Sequence, residues 1–582
     1  MNWRVLLQNP WLQLCLLVAA LSGGVMIYNL AEKPSLPPPD NVTGNVTPPP
    51  GPSAPANIPR PAITKIKPKT RGQWIVDSSG ARDADSSDIA VVAASLSDGD
   101  VVNIRPGTYT GSCEVTVSAR FIGPAAGQGT AMIRGVDAQR PGMTISGQKV
   151  ALENLSISFE AGGDYPAVQI WRNAHVEITN CTLSTQGTFD VLVSESASLR
   201  VVNTEFRAVN AGCCLKYEGT TQGTLARCSF LTGRWGIEAI AGAQVQGSNC
   251  AFRQIGLING VGLTLGVIGG RASLTLDSCQ FEANTATISA DEGATLHLTG
   301  STFRNNGVTG EGQNSSLGMI CAQHGAKVFL KDDSFEENRQ GLVALGGSNL
   351  TLERVRMQHT GLVTDNQKLR AYCNAVGANE EGTTVNVSGS TISDSLNNSF
   401  TVSGGAHLQM METTITNSNE TGLTLGYANT ASSQATLNNV RITGAHSDAV
   451  YVNSGSQLEM QNCQVAASDA AGVEAQDTGT QVKITDTTIT NCKIMGVTAI
   501  VGATISAFGS TMEATTRGAQ AGFPNDPQKK GTVLLTNCTV RDNSVFGVGA
   551  CRGATLVMKG GFLGANQQNT WHEPGGNVRL ER

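Results

Sequence analysis

Apolar and polar positions alternate along most of this chain, in runs of only three to five residues. Thr295-Leu296-His297-Leu298-Thr299 and Gln457-Leu458-Glu459-Met460-Gln461 each place every second side chain on one face. That period of two describes a strand with one buried face. The runs recur. GTQVKITDTTITNCKIMGVTAI (479–500) has the form of GSQLEMQNCQVAASDAAGVEAQ (455–476). Aligned on their leading glycines, Gly270 and Gly293 are 23 residues apart, Gly325 and Gly347 22, Gly382 and Gly405 23, Gly455 and Gly479 24. A further strand follows each turn, as in GLTL (262–265), GLVA (341–344), GLTL (422–425), GVEA (472–475) and GVTA (496–499).

A fixed period of this size means a solenoid or an array. No helix-length apolar pattern lies between the strands, which excludes helical repeats. The Leu/Asn frame of leucine-rich repeats is missing, and a propeller blade needs about twice the length. The pattern predicts an all-β right-handed parallel β-helix of 17–18 coils, with three strands to a coil. Stacking places like residues over like about 4.8 Å apart, so the rod is expected to be on the order of 80 Å long. Cys181, Cys228, Cys250, Cys279, Cys463 and Cys538 share one turn slot and read as a ladder of buried thiols.

Composition supports this fold and narrows the partners. The 67 glycines suit many tight corners rather than helices. A net charge of −6 gives no nucleic-acid surface, and the basic run Lys65, Lys67, Lys69 and Arg71 reads as the solvated end of a linker. Residues 11–30 form an apolar run without formal charge, long enough to cross a bilayer. Arg4 and the terminal amine before it favour an anchor with the body outside the cytoplasm. A cleaved signal peptide is the rival, with small residues at Ala20 and Ser22. Residues 1–32 are therefore assigned as the membrane anchor and 33–71 as a Pro-rich linker. Residues 72–582 are assigned to the β-helix, with a cap helix near 86–97. The segment after Thr570 breaks the period and is expected to close the last coil loosely.

Residues 98–123, with "GD" before a strand and Pro106-Gly107-Thr108-Tyr109 after it, resemble the opening coil of the pectate-lyase-like right-handed β-helix superfamily. The following repeats are similar to its generic units, over roughly 72–566. The resemblance implies the fold and leaves the activity open, because that superfamily hosts lyases, hydrolases, epimerases, adhesins and phage fibres. Its active-site phrases are not matched. Asp332-Asp333 is the sole Asp pair and falls in a turn slot. Gln323-His324-Gly325 is a repeat start, and the Asp-Pro-His-Asp phrase of mannuronan epimerases is missing.

Polysaccharide chemistry on such a rod needs ionisable groups on outward positions of one stacked strand. The strands after the turns offer Gln169, Trp171, Leu192, Lys216, Glu218, Glu238 and Thr264, with Tyr165, Asp190, Arg234 and Trp235 close by. Tyr165, Gln169, Trp171, Lys216, Glu218, Arg234, Trp235 and Glu238 are the candidate glycan-binding residues. Lys216, Glu238 and Arg234 are the candidate catalytic groups. The competing account makes Lys216 and Glu238 an exposed cross-strand ion pair of little consequence.

The seven histidines show no metal-ligand spacing. Asp83, Asp85 and Asp88 lack the Gly and Glu of a calcium loop, so no cofactor is expected. Asn154 and Asn180 begin Asn-x-Ser/Thr sequons. Loops 306–317, 360–372 and 513–530 interrupt the period without an obvious catalytic set. The sequence leads to a membrane-anchored extracytoplasmic rod that binds a polysaccharide or cell-envelope glycan. A polysaccharide lyase, hydrolase or epimerase with a divergent site is the first alternative, and a structural surface protein the second.

Overall fold

The computed structural model describes residues 65–66 and 72–582, apart from 162, 210–211, 257–262, 286, 308–317, 362–373 and 428–429. The anchor assigned to 11–30 lies outside the described residues. Among those described, no helix is long and apolar enough to cross a membrane.

Residues 62–582 form one compact unit, a parallel β-solenoid. Each complete coil gives one strand to each of three sheets. Sheet 1 runs from Gln73–Val76 to Asn577–Glu581, sheet 2 from Gly107–Thr110 to Phe562–Gly564, and sheet 3 from Cys113–Val115 to Thr570–His572. Sheet 1 holds 21 strands and the others 19 each, about 20 turns, which corrects the 17–18 expected. The shortfall has two causes. The first strands of sheet 1 start at residues 73, 100, 119, 149 and 175, at irregular spacings that a 22–24-residue period misses. The segment after Thr570, expected to close loosely, supplies a rung to sheets 3 and 1.

The first coil begins under a short helix, α1 (Ile89–Ala93), which buries Ile89, Val92 and Ala93. Asp88 caps it by accepting from Ala90 N at 2.8 Å. Asp85 accepts from Ile75 N at 2.8 Å, and Asp83 pairs with Arg105. The acidic run is thus tied into the first coil.

Corners between sheets 1 and 2 are built by one left-handed residue and one buried slot. Asn180, Asn203 and Asn462 sit at φ 54, 49 and 53°, a conformation Asn tolerates well. That is why Asn recurs there. Asn203 Nδ2 donates to Asn180 Oδ1 at 2.7 Å, and Asn180 Nδ2 to Asn154 Oδ1 at 3.2 Å. The next residue turns inward, and its amide bonds to the slot side chain of the following coil. Cys181 N donates to Thr204 Oγ1 at 3.3 Å, Cys279 N to Ser301 Oγ at 3.2 Å and Cys463 N to Thr487 Oγ1 at 3.2 Å. The described cysteines are all buried and unpaired. Asn284, Asn306 and Asn338 form a second ladder between sheets 2 and 3, each amide satisfying the neighbouring coil at 3.0 Å. Behind sheet 2, six rings from Phe206 to Phe335 stack at 4.4–4.9 Å.

Asp333 occupies the slot that Ser, Thr or Cys fills in most other coils. Its Oδ1 accepts from Ser301 N at 2.7 Å and Oδ2 from Lys331 N at 3.0 Å. Burial nevertheless pushes its carboxyl from the ordinary 3.8 up to about 7. A raised carboxyl pKa means the fold binds the proton more tightly than the unfolded chain. This contribution is therefore present below about pH 4 and is lost as pH rises through 7. Asp333→Ser, restoring the slot chemistry of Ser301, is expected to remove that part of the pH dependence. Its melting temperature, measured from pH 5 to 9, should fall less than that of the wild type. Superimposable curves would refute the assignment.

Candidate functional site

The outward face of sheet 3 carries a continuous column of side chains, because alternation places one residue per rung on it. In register it runs Thr144, Gln169, Leu192, Lys216, Glu238, Gly266, Ser289, Cys321, Val343 and Gly377. It continues through Thr401, Thr424, Tyr451, Glu474, Thr498, Gln520, Gly549 and Trp571. In the last coils a second column lies three residues earlier, at Ala471, Met495, Arg517 and Phe546. A glycine follows each of these, where the coils pass closely: a Cβ on Gly496 would stand 2.4 Å from the Gly518 carbonyl oxygen.

Lys216 and Glu238 are direct neighbours on this column, with Nζ 3.4 Å from Oε2. They are not exposed: each side chain retains about a twentieth of its surface, 5% and 6%. The expectation of an exposed pair is corrected. The Phe189 ring lies 5.3 Å from Lys216 Nζ, and burial raises the Glu238 carboxyl against the opposing pull of Lys216. Breaking such a pair by removing one partner leaves a buried charge uncompensated, which suits a structural pin.

The other expected residues are dispersed. Trp235 faces Cys213 at one edge of the strand, with the Arg234 guanidinium 6.0 Å from its ring. Trp171 follows Val168–Ile170 at the opposite edge, under the Arg172 guanidinium at 3.9 Å. Glu218 ends its strand opposite Ile240, and Tyr165 precedes the coil of Gln169. Asp190, expected beside the strip, is fully buried near the Cys214 thiol, and burial holds its carboxyl well above the usual range.

Ionisable groups converge instead in the C-terminal half. Tyr451 and Glu474 are part-exposed neighbours on the column. Asp448 sits at the corner before Val450–Val452, with Oδ1 accepting from Ala471 N at 2.8 Å. That bond ties it to the coil carrying Glu474. Desolvation and the Asp448 charge push Glu474 up to about 8, against the pull of Lys529. Desolvation raises Asp448 to about 6. The two carboxyls therefore retain a proton between them through neutral pH. Tyr451 donates to Gln476 Oε1 at 2.9 Å, and burial followed by the Glu474 charge raises its phenol.

Two rungs further along the column, Gln520 accepts from Arg517 Nη1 at 3.1 Å and donates to the Gly522 carbonyl at 2.9 Å. Lys529 belongs to the third of the expected loops, and its ammonium lies 4.9 Å from the Phe523 ring. The first two loops fall largely outside the described residues. Among the described residues, no three His, Cys, Asp or Glu side chains group to hold a metal ion. The sequence did carry a signal for the cluster. VYV (450–452) and GVEA (472–475) are strands of the very repeat that defines the fold, and Tyr451 and Glu474 are their outward positions.

Stacked coils, corner ladders and a strip of ionisable groups on one sheet define a parallel β-solenoid with a cluster of buried and part-buried ionisable groups on its side. The family model for the right handed beta helix region matches residues 265–430, 372–521 and 427–563, together just over half of the chain. The protein belongs to that family. No curated protein matches it in sequence. Among solved structures it is similar to a mutant of the periplasmic alginate epimerase AlgG, at 12% identity, over 54% of this chain and 76% of that one, with a TM-score of 0.39. It is also similar to an alpha-1,3-glucanase catalytic unit from Streptomyces thermodiastaticus, at 13% identity, over 71% and 67% of the two chains, with a TM-score of 0.26. A third is the PL6 family alginate lyase AlyGC, at 9% identity, over 84% and 98%, with a TM-score of 0.24.

Proposed function

We propose that the protein is an extracytoplasmic polysaccharide hydrolase, with Glu474 as general acid and Asp448 as general base. The observation that carries this reading is the carboxyl pair itself, Glu474 on the outward column and Asp448 at the corner of the preceding coil, whose burial, with the Asp448 charge acting on Glu474, keeps one proton between them. At neutral pH the group near 8 is protonated and the group near 6 is ionised, the division that glycoside hydrolysis requires. Glu474 gives its proton to the glycosidic oxygen as that bond breaks. Asp448 takes a proton from the water that attacks the sugar. Tyr451 and Lys529 steady the charge that moves between them. The apolar run at 11–30 and the Pro-rich stretch at 33–71 support a body held away from a membrane, as the sequence predicts.

The test uses the full chain with a panel of neutral and uronic-acid polysaccharides. New reducing ends without an unsaturated product support hydrolysis. An ultraviolet-absorbing unsaturated product would replace it with elimination. Retention of a glycan with neither product would return the protein to a binding rod.

A further inference from the structure

Between Arg517–Ala521 of sheet 3 and Thr532–Thr536 of sheet 1 the chain makes a long excursion instead of a tight corner. Its backbone is tied to itself. Phe523 N donates to the Lys529 carbonyl at 3.1 Å, Asp526 N to the Phe523 carbonyl at 3.3 Å and Lys529 N to the Asp526 carbonyl at 3.1 Å. Pro524 and Pro527 stiffen it further. It is also held from both sides. Glu573 of the last coil accepts from Asn525 N at 2.9 Å with one oxygen and from Arg552 N at 3.0 Å with the other. Towards Glu474, the Lys530 carbonyl accepts from Gly502 N, in the coil between those of Glu474 and Gln520. The loop therefore stands one to two rungs from Glu474, about 5–10 Å along the axis at 4.8 Å per rung.

This loop presents one ring to water. The Lys529 ammonium sits over Phe523 at 4.9 Å from the ring centre, yet the residue stays 44% exposed. A single exposed apolar residue is ordinary on a protein surface. Phe523 differs in that its backbone is fixed before anything binds, and in that the ammonium beside it also acts on the Glu474 carboxyl. The way between ring and acids is open. Asp448, Tyr451 and Glu474 are part-exposed, and the corner residues Gln476, Thr478, Val501 and Gly502 are part-exposed or exposed.

We infer that Phe523 is a stacking platform for a pyranose unit next to the one cleaved, on a chain that crosses the corner between sheets 3 and 1. This rests on the hydrolase reading above and extends it to substrate length, because a single sugar at Glu474 leaves the ring uncovered. The flat apolar face that neutral and uronic pyranoses share is what the ring recognises. Holding the ring in place beforehand spares the ordering cost of binding.

The experiment is affinity electrophoresis in gels containing a soluble neutral glucan or sodium alginate, so that the two arms separate neutral from acidic chains. It compares Glu474→Gln, which holds glycan without cutting it, with the same protein also carrying Phe523→Ala, Phe523→Leu or Phe523→Trp. We expect Glu474→Gln to be retarded in at least one gel. Phe523→Ala should weaken that retardation about three- to tenfold in apparent Kd, the size of one aromatic contact. Phe523→Trp should keep it, and Phe523→Leu, apolar but not flat, should not. Phe508→Ala removes an equally exposed ring from the far end of a sheet 1 strand and should change nothing. The ring is on the surface, so all variants should melt with their parent; if Phe523→Ala does not, Phe523→Trp against Phe523→Leu decides. Equal retardation of Phe523→Ala and its parent, an equal loss in Phe508→Ala, or no retardation in either gel overturns the platform. Cleavage by the wild type with unchanged retention of Phe523→Ala overturns it too and leaves the acid–base pair standing. Lost retention in Phe523→Ala, with no cleavage by the wild type, keeps the platform and removes the acid–base role.

Discussion

If the protein hydrolyses glycan as proposed, Glu474→Gln is expected to stop cleavage, with turnover falling on the order of 10²–10⁴-fold. The glutamine keeps the volume and the place on the column but has no proton to give. Reducing-end release measured across pH should show a bell in the wild type, rising near 6 and falling near 8. Asp448→Asn then has two separable effects. It removes the base, so the rate drops at every pH. It also removes the charge that helps hold the Glu474 proton, so the alkaline limb of any residual activity moves to lower pH. A Glu474 serving only as structure would show neither the bell nor the displaced limb. Stability separates chemistry from folding. Glu474 has a folded pKa above its unfolded value, so its stabilising contribution is lost as pH rises towards 8. Glu474→Gln should therefore melt no lower than the wild type at alkaline pH. Wild-type turnover in this variant would remove Glu474 from the mechanism.

The fold was legible because a solenoid writes its contacts at one separation. Alternation named the inward side chains, and the 22–24-residue period named which of them stack. The shared Cys position of NCTL, RCSF and NCAF puts Cys181, Cys228 and Cys250 in one slot, and all three are buried there. Legibility failed where the period failed. The first coils are spaced irregularly, and the last one contains Trp571, a column residue hidden behind a change of rhythm. The site was half legible. Alternation places Gln169, Leu192, Lys216 and Glu238 on one face of sheet 3, and Lys216 and Glu238 do pair across it. Alternation gives direction, though, and not cover. Nothing in LKYE or IEAI tells that these outward groups are buried. Trp171 and Trp235 flank the same strip in sequence, yet they stand at opposite edges of sheet 3. Asp448 and Glu474 are ordinary residues in sequence. Their coupling arises only when one coil is laid over the next and both leave water together.

The largest effect on stability is expected inside sheet 2. Phe281 lies between Phe252 at 4.8 Å and Phe303 at 4.5 Å, nearly parallel to both and 1% exposed. Phe281→Ala is expected to cost about 3–5 kcal/mol, the usual loss for a large core side chain plus the cavity it leaves. The solenoid makes the consequence particular. Each coil is held chiefly by its two neighbours, so a gap in the ring stack weakens two interfaces at one point. The Asn284–Asn306–Asn338 ladder crosses the same coils and hydrogen-bonds to the Phe252, Phe281 and Phe303 carbonyls at 2.9–3.0 Å. Loosening of the stack therefore opens polar bonds as well. Hydrogen exchange should show faster opening centred on the coils of 252–303, with the distant C-terminal coils keeping their protection. Phe508→Ala is the control: this ring is 50% exposed, and its loss should change stability by no more than about 0.5 kcal/mol. If urea unfolded Phe281→Ala and Phe508→Ala at the same concentration, with the same exchange pattern, the ring stack would not be what holds successive coils together.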